Sequence, residues 1–283
     1  MSSPAAPHHL TLGFSPCPND TFIFDALVHG RVDTEGLTFE VTLADVEALN
    51  QRAFAEELDV TKLSYHAFGY LTDRYALLRA GSALGRGVGP LLVNAKKENF
   101  GGVNESTSVA VPGQYTTANY LLGLAYPQLR YRRQMLFSDI EAAVLNGKVD
   151  TGLLIHENRF TYAERGLQKI ADLGEYWEST TGYPIPLGGI AVRRALDREV
   201  QQRVRRVLAR SVAYAHDHPD ASREYVRRHA QEMDERVMRQ HIELYVNTFT
   251  RDLGEEGEAA VRHFIEDGRA KGLIPPGRAD YIV

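Results

Sequence analysis

The segment Val149-Asp150-Thr151-Gly152-Leu153-Leu154-Ile155-His156-Glu157-Asn158-Arg159 changes character at one point. Its first seven residues make a short, mainly apolar run bounded by polar residues, the pattern of a strand buried on both faces. Strands of this kind build open α/β sheets, which bind ligands in the crevice at the carboxyl ends of their strands. His156 is thus delivered to the end of the sheet where chemistry takes place, carrying a side chain that titrates near neutrality and serves as a general base. A core or capping histidine bonded to backbone would leave the same trace.

Outward from this strand the same rhythm recurs. Residues 108–111 and 131–137 read as strands and 117–125 and 139–145 as helices, which completes one α/β cycle. An earlier cycle opens the chain, with an apolar strand at 10–14, a helix at 21–29 and alternation at Leu37, Phe39, Val41 and Leu43. Helical spacing follows at Val46, Leu49, Ala53, Phe54 and Leu58, then a short strand at 60–63, a helix at 65–71, and strands at 75–79 and 89–93 around a glycine-rich loop at 81–87. The polar stretch 96–106 reads as a crossing, and a strand at 168–173, a turn-rich 181–186 and a strand at 188–192 bring the chain back. From Asp197 the pattern is helical, with Val200, Val204, Val207, Leu208, Val212 and Tyr214 on one face and Arg203, Arg205, Arg206 and Arg210 on a solvated one. Further helices are expected at 220–229, 234–247 and 255–271, with Gly272 as C-cap and Pro275-Pro276 as a stop. Two α/β lobes joined by two crossings is the layout of a type II periplasmic-binding-protein fold. The larger lobe is expected from 1–94 with 188–283, the smaller from 95–187, and a ligand cleft between them.

Composition narrows the partner. With 37 acidic against 32 basic side chains and a net charge of -5, nothing favours nucleic acid, and a small-molecule substrate is expected. Cys17 is the only cysteine, which excludes an intrachain disulfide and a cysteine-based zinc cage. The ten histidines form no H-E-x-x-H pair, so no metal is expected. No stretch has the character of an export signal or membrane span, and a cytoplasmic protein is expected. The oligomeric state stays open.

Three turns carry candidate groups. Pro112-Gly113-Gln114-Tyr115-Thr116-Thr117 joins a strand to a helix, where free backbone N–H groups and the helix dipole favour an anion; Thr116 or Thr117 could equally be a simple N-cap. Thr61-Lys62-Leu63-Ser64-Tyr65 ends another strand and offers an ammonium and a hydroxyl, or a turn capped by Ser64. Ser15-Pro16-Cys17-Pro18-Asn19-Asp20-Thr21 is a stiff turn leading into a helix capped by Asn19 or Asp20, with Cys17 a small hydrophobe lacking a local base. The glycine loop 81–89 fits neither phosphate-binding nor dinucleotide-binding patterns.

Taken together, Leu12-Gly13-Phe14-Ser15-Pro16-Cys17-Pro18-Asn19-Asp20-Thr21-Phe22, Thr61-Lys62-Leu63-Ser64-Tyr65, Gly85-Arg86-Gly87-Val88-Gly89-Pro90, Val111-Pro112-Gly113 with Thr116-Thr117, and Ile155-His156-Glu157 with Arg159-Phe160-Thr161-Tyr162 resemble, in the same order, the 1,4-dihydroxy-6-naphthoate synthases. These are menaquinone-pathway enzymes of the futalosine route, and the resemblance runs from about Leu10 to the last helices. It implies a lyase that converts cyclic dehypoxanthinyl futalosine to 1,4-dihydroxy-6-naphthoate and dihydroxyacetone without metal or organic cofactor. It further implies that His156 is the proton acceptor and that Lys62, Leu63, Ser64, Thr117 and Ala118 meet the substrate. Thr116, at the helix amino terminus, and Asn19 and Asp20, in the stiff turn, are expected to bind substrate as well. Two rivals share the layout: a carboxylate-binding solute protein, which would need an export signal or lipid anchor, and the chorismate dehydratase of the same route.

Overall fold

A computed structural model describes residues 8–95, 101–230 and 234–283. The chain divides into two compact units, one from 1–85 with 186–283 and the other from 86–185.

The first unit opens with β1 (His8–Phe14), α1 (Pro18–Val28), β2 (Leu37–Leu43), α2 (Val46–Phe54), β3 (Val60–Ser64), α3 (Tyr65–Tyr70), β4 (Tyr75–Leu77) and β5 (Ala83–Gly85). The second unit runs β6 (Leu91–Ala95), β7 (Ser108–Val111), α4 (Thr117–Ala125), β8 (Tyr131–Gln134), a 3-10 turn (Phe137–Asp139), α5 (Ile140–Leu145), β9 (Thr151–Leu154), α6 (Asn158–Thr161), β10 (Leu167–Asp172) and α7 (Leu173–Thr181). Then β11 (Ile185–Arg193) leads to α8 (Arg198–Asp217), α9 (Arg223–His229), α10 (Glu235–Tyr245), α11 (Thr248–Arg251) and α12 (Gly254–Ala270). Among the described residues no helix is long and apolar enough to cross a membrane.

In the first unit the strand order is β2-β1-β3-β11-β4, with β5 also paired to β11. β1 runs parallel to β2 and β3, while β11 is antiparallel to β3 and β4. One apolar core fills the space against α1 and α8, from Leu10, Leu12, Phe14, Phe22 and Phe24 to Val200, Val204, Val207, Leu208 and Val212. In the second unit the order is β10-β6-β9-β7-β8, and β7 lies parallel to β9, so both strands end at the same sheet edge. Its core gathers Leu91, Val93, Ala110, Ile140, Val144 and Leu154.

Three readings need correction, and a fourth falls partly outside the described residues. The first crossing, expected at 94/95, falls at 85/86, because Leu91–Ala95 pairs with β9 and β10 and so belongs to the second sheet. The proposed crossing segment 96–106 lies partly outside the described residues. The loop at 81–87 contains strand β5, which has only three residues and shows no alternation to detect. Finally, Arg203 is buried rather than solvated, its guanidinium donating to the backbone carbonyl of Glu35, whose carboxylate is gripped by Arg206 and Arg210.

Candidate functional site

In the first unit the ends of β1 and β3 lie side by side, since Gly13 is in register with Thr61. The turn after β1 closes into α1 at Cys17, whose extended backbone makes it the N-cap, with Pro18 in the first helical position. Asn19 and Asp20 therefore sit inside the first turn and do not cap it. The Asp20 carboxylate folds back instead: Oδ2 accepts from the Ser15 hydroxyl at 2.7 Å and the Ser15 amide at 3.2 Å. Its Oδ1 accepts from Asn19 Nδ2 at 2.9 Å and from the Lys62 ammonium at 2.8 Å. Both members of this ion pair are buried. A buried charge is tolerated only when paired and hydrogen-bonded, and four donors meet that condition for Asp20.

Lys62 and Ser64 alternate with Leu63 along β3. Ser64 is the N-cap residue of α3, but its hydroxyl accepts from Asn50 Nδ2 at 3.2 Å rather than from a helix amide, while its own amide donates to Asn50 Oδ1 at 3.0 Å. Tyr65 hydrogen-bonds the Ser82 hydroxyl at 2.7 Å, and complete burial pushes its phenol well above the usual range, so it stays neutral. Gly188 on β11 permits this packing: a Cβ there would sit 2.9 Å from the Leu63 carbonyl oxygen and 3.1 Å from Lys62 Cε. The Asn19 carboxamide in turn accepts from His241 of α10, with Nε2 to Oδ1 at 2.9 Å.

In the second unit Thr116 caps α4, its hydroxyl accepting from the Asn119 amide at 3.2 Å and donating to the Gly113 carbonyl at 2.9 Å. Thr117 and Ala118, both buried, open a nine-residue helix with no acidic side chain in its first turn, which leaves the positive end of the dipole for an incoming anion. His156 follows the neighbouring strand β9, and its backbone is left-handed, with φ of 56°. That region is costly for any residue but glycine and is enriched in histidine and asparagine; such conformations gather at functional sites. The imidazole packs edge-on against the buried Phe137 ring, with centroids 4.7 Å apart. Beyond it, Arg159 is fixed by Asp172 at 3.0 Å and by the Gly89 carbonyl, and Glu157 is buried.

The structure brings Asn19, Asp20 and Lys62 together in the first unit, a grouping the sequence does not announce, and it sets Thr116 to Ala118 and His156 after neighbouring parallel strands of the second unit. Sequence reasoning misses His241, Asn50, Ser82 and Phe137. Only three-dimensional proximity reveals them, because each stands alone in a helix, strand or loop with no motif around it.

Residues 10–270 match the model of a family described as menaquinone biosynthesis. Two relatives named 1,4-dihydroxy-6-naphthoate synthase are each 48% identical: the Thermus thermophilus protein, covering 94% of this chain and 96% of its own, and the Streptomyces coelicolor protein, covering 94% and 95%. A crystal structure from Archaeoglobus fulgidus, 40% identical, superposes with a TM-score of 0.88 over 94% of this chain and 99% of its own. More distant structures show the fold alone. A ligand-binding component of an ABC-type import system from Staphylococcus aureus, 13% identical, reaches a TM-score of 0.70 over 98% of this chain and 96% of its own. The fold is periplasmic-binding-protein-like.

Proposed function

Because the chain belongs to the menaquinone biosynthesis family, we propose that it is a carbon–carbon lyase that converts cyclic dehypoxanthinyl futalosine to 1,4-dihydroxy-6-naphthoate and dihydroxyacetone. His156 is the general base. The observation that carries this reading is its placement: a left-handed residue two positions beyond the end of β9, at the end of the sheet where β7 delivers the amino end of α4.

The chemistry asked of these residues is modest. An imidazole removes a proton next to the carbonyl of the opened sugar, and carbon–carbon cleavage then leaves an aromatic naphthoquinol, so the driving force resides in the substrate. Thr117 and the α4 amides hold the naphthoate carboxylate, which fixes the labile C–H with respect to His156. Lys62, Leu63 and Ser64 supply further substrate contacts. The reaction belongs to a reducing cytoplasm, in keeping with a sequence whose one cysteine, Cys17, has no second cysteine to pair with.

The test is incubation of the purified protein with cyclic dehypoxanthinyl futalosine, read by mass spectrometry. Stoichiometric loss of substrate with appearance of the naphthoate and a three-carbon product is the expected result. Tight binding without conversion would instead make the chain a carboxylate-binding protein, and turnover of chorismate in its place would make it the sister dehydratase.

A further inference from the structure

We infer that His241 is a positioning residue for Lys62, acting through Asn19 and Asp20. The inference rests on the reading of Lys62 as a substrate contact and extends the site to a helix near the carboxyl end of the chain.

The four side chains form one continuous path. His241 Nε2 lies 2.9 Å from Asn19 Oδ1, Asn19 Nδ2 lies 2.9 Å from Asp20 Oδ1, and Lys62 Nζ lies 2.8 Å from that same oxygen. The path joins α10, α1 and β3 across 222 positions of sequence at its first link. All four residues are buried, His241 to 1% and Asp20 to 1% exposure, so water does not stand in for a lost partner.

The direction of every bond is determined. A carboxylate only accepts, so Asn19 must turn its NH2 toward Asp20 and its carbonyl oxygen toward α10. The group meeting that oxygen must be a donor, which fixes a proton on Nε2 of His241. His241 thereby supplies the donor for the buried carboxamide oxygen. Without it that oxygen is left buried and unpaired, and Asn19 shifts to find another donor, moving the Asp20 anchor on which the Lys62 ammonium rests. Apolar neighbours on α10, including Val237, Met238 and Tyr245, already bury the helix, so helix packing does not account for a hydrogen-bonded imidazole at this place.

The experiment compares His241→Phe, which withdraws the donor, with His241→Gln, which returns an N–H near the Nε2 position, each alone and with Asn19→Leu. Two readouts are taken: the rate at which an amine reagent labels Lys62, followed by mass spectrometry without substrate, and KM and kcat for cyclic dehypoxanthinyl futalosine. His241→Phe is expected to label Lys62 about fivefold faster and to raise KM about tenfold with kcat within about twofold, the pattern of lost ground-state binding. His241→Gln is expected to restore both, and His241→Phe to add nothing once Asn19 is Leu. Effects that persist additively in the Asn19→Leu background, or that Gln does not relieve in a folded protein, overturn the inference. If labelling responds and KM does not, the positioning stands and the substrate contact of Lys62 is wrong. Should His241→Phe fail to fold, His241→Asn, which retracts the donor, replaces it against His241→Gln.

Discussion

His156 combines a backbone that resists most side chains with a ring packed edge-on against Phe137. Replacement by Asn, a residue that tolerates the same φ, removes the base while leaving the turn intact; turnover should fall by about 10²–10⁴ with ligand affinity kept, measured by product formation and calorimetry. Near-normal rates in His156→Asn would remove it from the chemistry. Thr117→Val should weaken a naphthoate carboxylate about tenfold and leave the corresponding amide unaffected, and equal losses for both ligands would argue against an anion dock. Asp20→Ala leaves the buried Lys62 ammonium without its partner and should lower unfolding free energy by about 3–5 kcal/mol in urea titration, whereas Asp20→Ala with Lys62→Met should recover most of that loss. His156 was legible because a strand end is a local signal. The partners of Asp20 all stand in the quoted turns, as Ser15, Asn19 and Lys62, but His241, which meets Asn19, is brought in by tertiary packing alone.

At the scale of elements, legibility followed how local the deciding interaction is. Residues 108–111 and 117–125 coincide with β7 and α4 because strand periodicity and a threonine cap are both written within a few positions. The start of α1 was misread, since the preference of Asn and Asp for capping lost to Pro18, whose fixed φ sets the first helical residue. Of the α8 arginines read as solvated, Arg203 alone is buried, while the exposed Arg206 and the half-buried Arg210 hold Glu35 well below the usual carboxylate range, at about 2, chiefly through the Arg206 hydrogen bonds. The folded value lies below the unfolded one, so this contribution is complete above about pH 4.5 and disappears as pH falls through about 2. Glu35→Gln should therefore cost on the order of 1 kcal/mol at pH 7, after allowance for solvent screening, and nothing once the pH is well below 2, as read from paired denaturant titrations. Glycines also set element packing: a Cβ on Gly89 would lie 2.1 Å from the Gly174 amide nitrogen at the start of α7. Gly89→Ala should destabilise the second unit by about 3 kcal/mol, visible as a lowered urea midpoint.

Over the whole molecule, the alternation of strand and helix was enough to give the fold class, because a periodic pattern repeated along the chain averages out local errors. The boundary between units was less legible, since Leu91–Ala95 is as apolar as any strand of the first sheet and only its hydrogen-bonding partners assign it. Those partners carry a temporal meaning as well. The second unit, 86–185, is one uninterrupted stretch, whereas β11 must enter between β3 and β4 before the first sheet is continuous. As the chain leaves the ribosome, the amino-terminal strands wait with β3 lacking its antiparallel neighbour while the second unit is synthesised and folds. The unit inserted in the sequence can close before the discontinuous one, and an unpaired β3 edge is the place where aggregation during translation is expected, a prediction that pairing β3 with a β11 peptide would test.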